Sequence, residues 1–171
     1  MKFTFILIST AALLTTALPV HGTEQQGDSP IQVEFEHPEK YTDADYGPRS
    51  HKSDAEAIFR QLRRHLQKQA PQYLSAGQQL QLTFTDIDLA GDREPSANIE
   101  LHDVRIVRSV YPPKLAFRYQ LLGNDGAVLR QDEVSIRDIG FDLARGLRSS
   151  DPLRFEKRML SQWLSREFSA R

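Results

Sequence analysis

The sequence predicts an α+β fold: a mainly antiparallel sheet of about five strands, with two amphipathic helices packed on one face. Three observations predict it. Five short segments alternate apolar and polar residues, the period of two that a half-buried strand shows. Two other segments repeat apolar residues every three or four positions, as a helix covering a core does. Their order along the chain is β-α-β-β-β-β-α, and a run of strands between two helices suits a sheet with its helices on one face.

Met1–Gly22 reads as a secretory signal peptide. Lys2 gives the positive start, Phe3–Leu14 the apolar run, and Pro19 a helix break. Val20 and Gly22 then occupy the minus-three and minus-one positions of a cut before Thr23. The run is interrupted by Ser9, Thr10, Thr15 and Thr16, whereas a membrane span needs about 20 apolar residues. The chain has no cysteine to accept a lipid. The expectation is therefore an exported, soluble periplasmic protein with no membrane anchor after cleavage. Residues 23–30 form a polar leader, and 31–171 a single globular domain.

The first strand lies in "IQVEFEH", with Ile31, Val33 and Phe35 on one side and Gln32, Glu34 and Glu36 on the other. Pro38–Lys52 lacks periodicity and reads as a loop. Ser53-Asp-Ala-Glu56 is a capping box that opens the first helix. Ala55, Ile58, Phe59, Leu62, Leu66 and Ala70 form the apolar arc of that helix, Arg60, Arg63, Arg64, Gln67 and Lys68 its outer side, and Pro71 its end.

Leu80, Leu82 and Phe84 lead the second strand. Ile87 and Leu89 then take over the apolar positions, so the alternation flips at Thr85–Ile87 and a bulge is expected there. Val104–Val110 reads as a further strand, and Tyr111-Pro112-Pro113 as a rigid turn. Leu115, Phe117, Tyr119 and Leu121 line the next strand, and Asn124-Asp125-Gly126 turns it back through Ala127–Arg137. Residues 138–150 carry no clear signal. Ser150-Asp151-Pro152 opens the last helix, whose arc is Leu153, Met159, Leu160, Trp163, Leu164 and Phe168.

Composition excludes several functions. A formal net charge of −1 lacks the basic excess of a nucleic-acid binder. Without cysteine there is no thiol catalysis and no zinc–thiolate site. The five histidines show no HxH or HxxxH spacing that would seed a zinc site. No nucleophile elbow, P-loop or dinucleotide fingerprint is present, and no cofactor is implied.

Five residues remain as binding candidates. Asp86 and Asp88 stand on one strand face. The calcium-loop pattern they suggest fails, because its fifth and twelfth positions hold Ala90 and Ala97. Their structural role would be to pair with Arg105, Arg108 or Arg118 on neighbouring strands. Tyr111, like Tyr41 and Tyr46, is a loop aromatic able to stack on a sugar or peptide, or to cap the core edge. Glu156 falls on the apolar arc between Trp163 and Leu160. There it must meet an arginine or backbone amides, or line a pocket, because an unpartnered buried carboxylate loses several kcal/mol of hydration.

Four blocks, "HPEKYTD" (37–43), "GQQLQLTFTDIDLAG" (77–91), "VRIVRSVYPPKLAFRYQL" (104–121) and "DPLRFEKRMLSQW" (151–163), together resemble the bacterial exported family catalogued as domain of unknown function 3016. The resemblance implies small proteins with signal peptides from Gram-negative bacteria, and no established activity, cofactor or catalytic residue.

The leading functional expectation is a non-enzymatic domain that binds a protein or a cell-envelope component, since no catalytic set is assembled. A small-ligand or divalent-metal carrier is the alternative, using the carboxylates near 86–92 or a pocket by Glu156. A hydrolase or lyase acting through Asp86, Asp88 or Glu156 is the third, and it requires carboxylates held in different environments around one cleft.

Overall fold

Four strands and two long helices carry the fold. In this computed structural model the described residues are 29–43, 52–92, 105–143 and 149–169, the side chains of 52–54 excepted. The expected signal peptide, the leader up to residue 28, the side chain of the expected Ser53 cap, Tyr46 and Val104 lie outside them. Strand β1 is Ile31–Phe35, followed by helix α1 (Lys52–Gln69) and strand β2 (Gln79–Asp88). Strands β3 (Lys114–Leu122) and β4 (Val128–Arg137) come next, and helix α2 (Arg154–Phe168) closes the chain. No helix among the described residues is long and apolar enough to cross a membrane.

The sheet order is β1-β2-β3-β4, with β1 parallel to β2 and the other two pairs antiparallel. This corrects the expected sheet of about five mainly antiparallel strands in two ways. First, α1 carries the chain back over the sheet, so β2 starts at the same end as β1; a parallel neighbour needs such a crossover. Second, among its described residues the segment expected as a strand around 104–110 pairs only at Ile106, which exchanges both backbone bonds with Asp92 at 2.8 and 3.0 Å. Both edges of β2, the strand it follows, are already taken by β1 and β3. Val107 and Val110 stay exposed.

The expected flip in β2 is a bulge. The β2–β3 register shifts between Phe84 and Asp86, so Thr85 is the extra residue. Leu80, Leu82, Phe84 and Ile87 consequently all face the core. The Asn124–Gly126 turn closes the β3–β4 hairpin: Gly123 donates to Ala127 at 2.8 Å, and Gly126 adopts φ +78°. Near the last helix, Asp151 accepts the Leu153 N–H at 2.9 Å and meets Lys157 Nζ at 2.6 Å. Pro152 lies just ahead of the first helical residue, Arg154, not within the first turn as the sequence suggested.

Both helices cover one face of the sheet. Phe59, Leu62 and Leu66 of α1 and Met159, Leu160, Trp163 and Leu164 of α2 join Ile31, Leu82, Phe84, Phe117 and Tyr119 in one buried cluster. Rings run through it in contact: Phe35–Phe84 at 5.1 Å, Phe84–Phe117 at 5.7 Å and Phe117–Trp163 at 4.7 Å. Each fully buried Leu or Phe contributes about 1.5–3 kcal/mol of transfer free energy, so this layer outweighs any surface ion pair. Arg63, expected on the outer side of α1, turns back instead. It stacks on Phe35 and donates to Val33 O at 3.4 Å, shielding the β1 edge. A smaller cluster of Ala90, Phe141 and Phe155 sits beside the main core and draws residue 141 of the unassigned segment inward.

Candidate functional site

The β2 bulge decides what each aspartate does. It leaves Asp86 and Asp88 on the uncovered face, the one opposite the helices. Asp86 Oδ1 accepts the Thr42 N–H at 2.7 Å, and Oδ2 accepts from Thr42 Oγ1 at 3.1 Å and Lys114 Nζ at 3.3 Å. Partial burial would raise this carboxyl, but the Thr42 donors and Lys114 outweigh it and hold Asp86 below its ordinary value. The residue is a clamp between the segment after β1 and the end of β2.

Asp88 differs. It makes no hydrogen bond or ion pair with a described residue, and it is held above the ordinary carboxylate value. Burial is the first cause, and the Asp43 and Asp86 charges the next. It lines a cavity of about 270 Å³ together with Thr42, Asp43, Asp92, Tyr111 and Arg137. Asp43 in this cavity is engaged: Oδ2 accepts the Leu89 N–H at 2.7 Å, and Oδ1 meets Arg105 Nη2 at 2.9 Å. Arg105 also donates to the carbonyls of Gly91 at 2.7 Å and Leu89 at 3.4 Å, tying down the loop after β2. Although Asp43, Asp88 and Asp92 share one cavity, no three acidic or histidine groups among the described residues are placed to hold a metal ion.

Glu156 lies on the helix side of the sheet and is fully buried. Its Oε1 accepts the Ala90 N–H at 2.7 Å, while Oε2 has no partner. Burial pushes this carboxyl above its ordinary value, against the opposing pull of the Ala90 N–H, Arg105 and Arg154. The expectation that it would meet backbone amides holds, and it does not line the cavity beside Asp88. The expected arginine pairs of Asp86 and Asp88 do not form. Arg105 goes to Asp43, Arg118 goes to Glu36 at 2.7 Å, and Lys114 serves Asp86. Tyr111 lines the Asp88 cavity, whereas Tyr41 is buried and donates its hydroxyl to Phe84 O at 2.9 Å.

One feature was not found from sequence. The strand registers align Gln32 with Gln81, Gln81 with Gln120, and Gln120 with Gln131. A glutamine row therefore crosses the uncovered face from one edge to the other. The next row is Glu34, Thr83, Arg118 and Glu133. Gln120 Nε2 donates to Gln131 Oε1 at 3.1 Å, while the Gln32 and Gln81 amides have no partner among the described residues. A shallow concavity of about 520 Å³ follows these rows, lined by Gln81, Thr83, Arg118, Gln120, Gln131 and Glu133. The available signal was a glutamine at a polar position of every strand; the register that aligns them is tertiary.

A family model described as "Protein of unknown function (DUF3016)" matches residues 29–166. No curated protein matches the chain, and no solved structure does.

Proposed function

Because this chain belongs to the DUF3016 family, whose description carries no activity, we propose that it is a periplasmic binding domain whose uncovered sheet face meets a protein or a cell-envelope component. The observation that carries this reading is the glutamine row on an open face. Amides both donate and accept, so four in line offer a polar partner bonds of either sense without the desolvation cost of charges. The scatter of the carboxylates suited to chemistry supports the same reading: Asp86 and Asp43 are engaged within the fold, Asp88 faces a cavity on the uncovered side, and Glu156 is buried on the helix side. The Met1–Gly22 segment supports the periplasmic placement.

Capture from periplasmic extract tests the reading. Immobilised wild type and the control Arg60→Ala, altered on the exposed side of α1, are expected to retain the same partner. The double variant Gln81→Ala/Gln120→Ala is expected to lose it. Equal capture by all three, or a measured catalytic turnover, contradicts it.

A further inference from the structure

We propose that the cavity at the end of β2 binds a small zwitterion, a molecule carrying an ammonium and a carboxylate on one short carbon skeleton, with Asp88 receiving the ammonium and Arg137 the carboxylate. The glutamine row plays no part in this site, so either can fail without the other.

Asp88, Lys114 and Arg137 form one row across β2, β3 and β4. The middle cation is already committed, since Lys114 meets Asp86 at 3.3 Å. The outer two carry opposite charges and line the same cavity, yet neither makes an ion pair or hydrogen bond with any described residue. Their backbones stand two strand spacings apart, about 9.6 Å. Had they closed on each other, a ligand would first have to break a salt bridge. Unpaired on the wall of one cavity, they present the two poles that a zwitterion needs.

The surroundings narrow the ligand class. Asp43 is held by Leu89 N–H and Arg105, and Asp86 by Thr42 and Lys114, so neither competes for the ammonium. Both nevertheless surround Asp88 with negative potential, which together with burial outweighs the Arg137 and Lys114 charges and disfavours its ionised form. An incoming ammonium relieves that repulsion, whereas an anion without an ammonium meets it. A cation without a carboxylate neutralises Asp88, whose charge Arg137 now faces, and leaves Arg137 unanswered. Val110, Tyr111 and Pro112 supply an apolar wall for the carbon skeleton. The volume of about 270 Å³ equals roughly nine water molecules at about 30 Å³ each. That is the size of a free amino acid and smaller than a site for a larger cofactor.

Titration of the chain, followed by NMR of its backbone amides, tests the proposal with glycine, lysine and glutamate as probes. Each is compared with its methyl ester, which lacks the α-carboxylate, and its N-acetyl form, which lacks the α-ammonium. At least one free amino acid is expected to saturate at millimolar concentration, shifting the Gly91 and Tyr111 amides. Its ester and N-acetyl forms should bind at least tenfold more weakly. Asp88→Asn and Arg137→Gln should each cost the free amino acid at least tenfold. Arg137→Gln should leave the ester's residual binding unchanged, and Asp88→Asn that of the N-acetyl form. If either variant fails to fold, Asp88→Glu and Arg137→Lys, which keep the charges, must weaken the amino acid while preserving its preference over both derivatives. Absence of saturation by every probe, indifference to both substitutions, or saturation by calcium or manganese with none by a zwitterion would overturn the assignment. Neither variant should alter partner capture through the glutamine row.

Discussion

Asp86 and Thr42, 44 residues apart in sequence, are joined twice: the Thr42 backbone N–H reaches Asp86 Oδ1 at 2.7 Å, and the Thr42 hydroxyl reaches Oδ2 at 3.1 Å. A carboxylate that in sequence resembles half of a catalytic pair thus fastens the segment after β1 to the bulged end of β2. Its neighbour Asp88, two residues on, is left facing a cavity. The bulge at Thr85 lets one strand carry both roles on the same face.

Asp86→Ala removes both Thr42 bonds and the Lys114 contact. Hydrogen bonds to a charged group are worth about 1.5–3 kcal/mol each when a partner is left unsatisfied, and less at a partly exposed site. The expected loss is about 2 kcal/mol in urea unfolding at neutral pH. Because the folded state holds Asp86 below its ordinary value of 3.8, its contribution is complete above that value and disappears as the pH falls through the lower folded one. The gap between wild type and Asp86→Ala should close in acid.

Glu156→Gln has the opposite sign. The folded state holds this carboxyl above its ordinary value of 4.5, so the fold binds the proton more tightly than the unfolded chain does. Stability from this group is complete below that ordinary value and is lost as the pH rises through the folded one, by about 1.4 kcal/mol for each unit of displacement. The amide keeps an acceptor for Ala90 N–H but does not titrate. Relative to wild type, Glu156→Gln should gain stability steadily from acid to neutral pH in urea unfolding.

Arg105→Ala releases the Gly91 and Leu89 carbonyls and leaves Asp43 without its cation. The loss expected in thermal unfolding is about 2–3 kcal/mol. Arg105→Lys should recover only part of it, since one ammonium cannot reproduce a planar fork that serves a carboxylate and two carbonyls together.

Gly91→Ala tests the loop wall of the Asp88 cavity. Gly91 sits at φ +87°, and an added Cβ would come 2.7 Å from Ile106 O. The left-handed backbone alone costs a non-glycine residue about 1–2 kcal/mol. The contact with Ile106 adds to that and pushes against the Asp92–Ile106 bridge. A fall in melting temperature of several degrees is expected, with altered chemical shifts at Tyr111, whose carbonyl accepts the Gly91 N–H at 3.0 Å.

Local features were legible in the sequence. The bulge followed from the flip of alternation at Thr85–Ile87, the hairpin from Asn124-Asp125-Gly126, and the burial of Glu156 from its place between Trp163 and Leu160. Neighbourhood was not. The parallel pairing of β1 depends on which way α1 returns the chain, and alternation is the same for either direction. Val104–Val110 alternates as a strand should, but both edges of the preceding strand β2 are taken by β1 and β3. The partners of Asp86 proved to be Thr42 and Lys114, not an arginine, because the bulge turns the carboxylate toward the chain after β1. Arg137 and the four aligned glutamines carry no signal in the sequence for one reason: each is an ordinary surface residue until three registers are set together.

The central claim is that the glutamine-lined face meets the partner. Photo-crosslinking in exporting cells tests it most directly, with a photoreactive residue placed in turn at Gln81, Gln120, Arg60 and Gln67. The account predicts one crosslinked species from positions 81 and 120 and none from 60 and 67 on α1. The same species from the α1 positions, with none from the sheet, would contradict it.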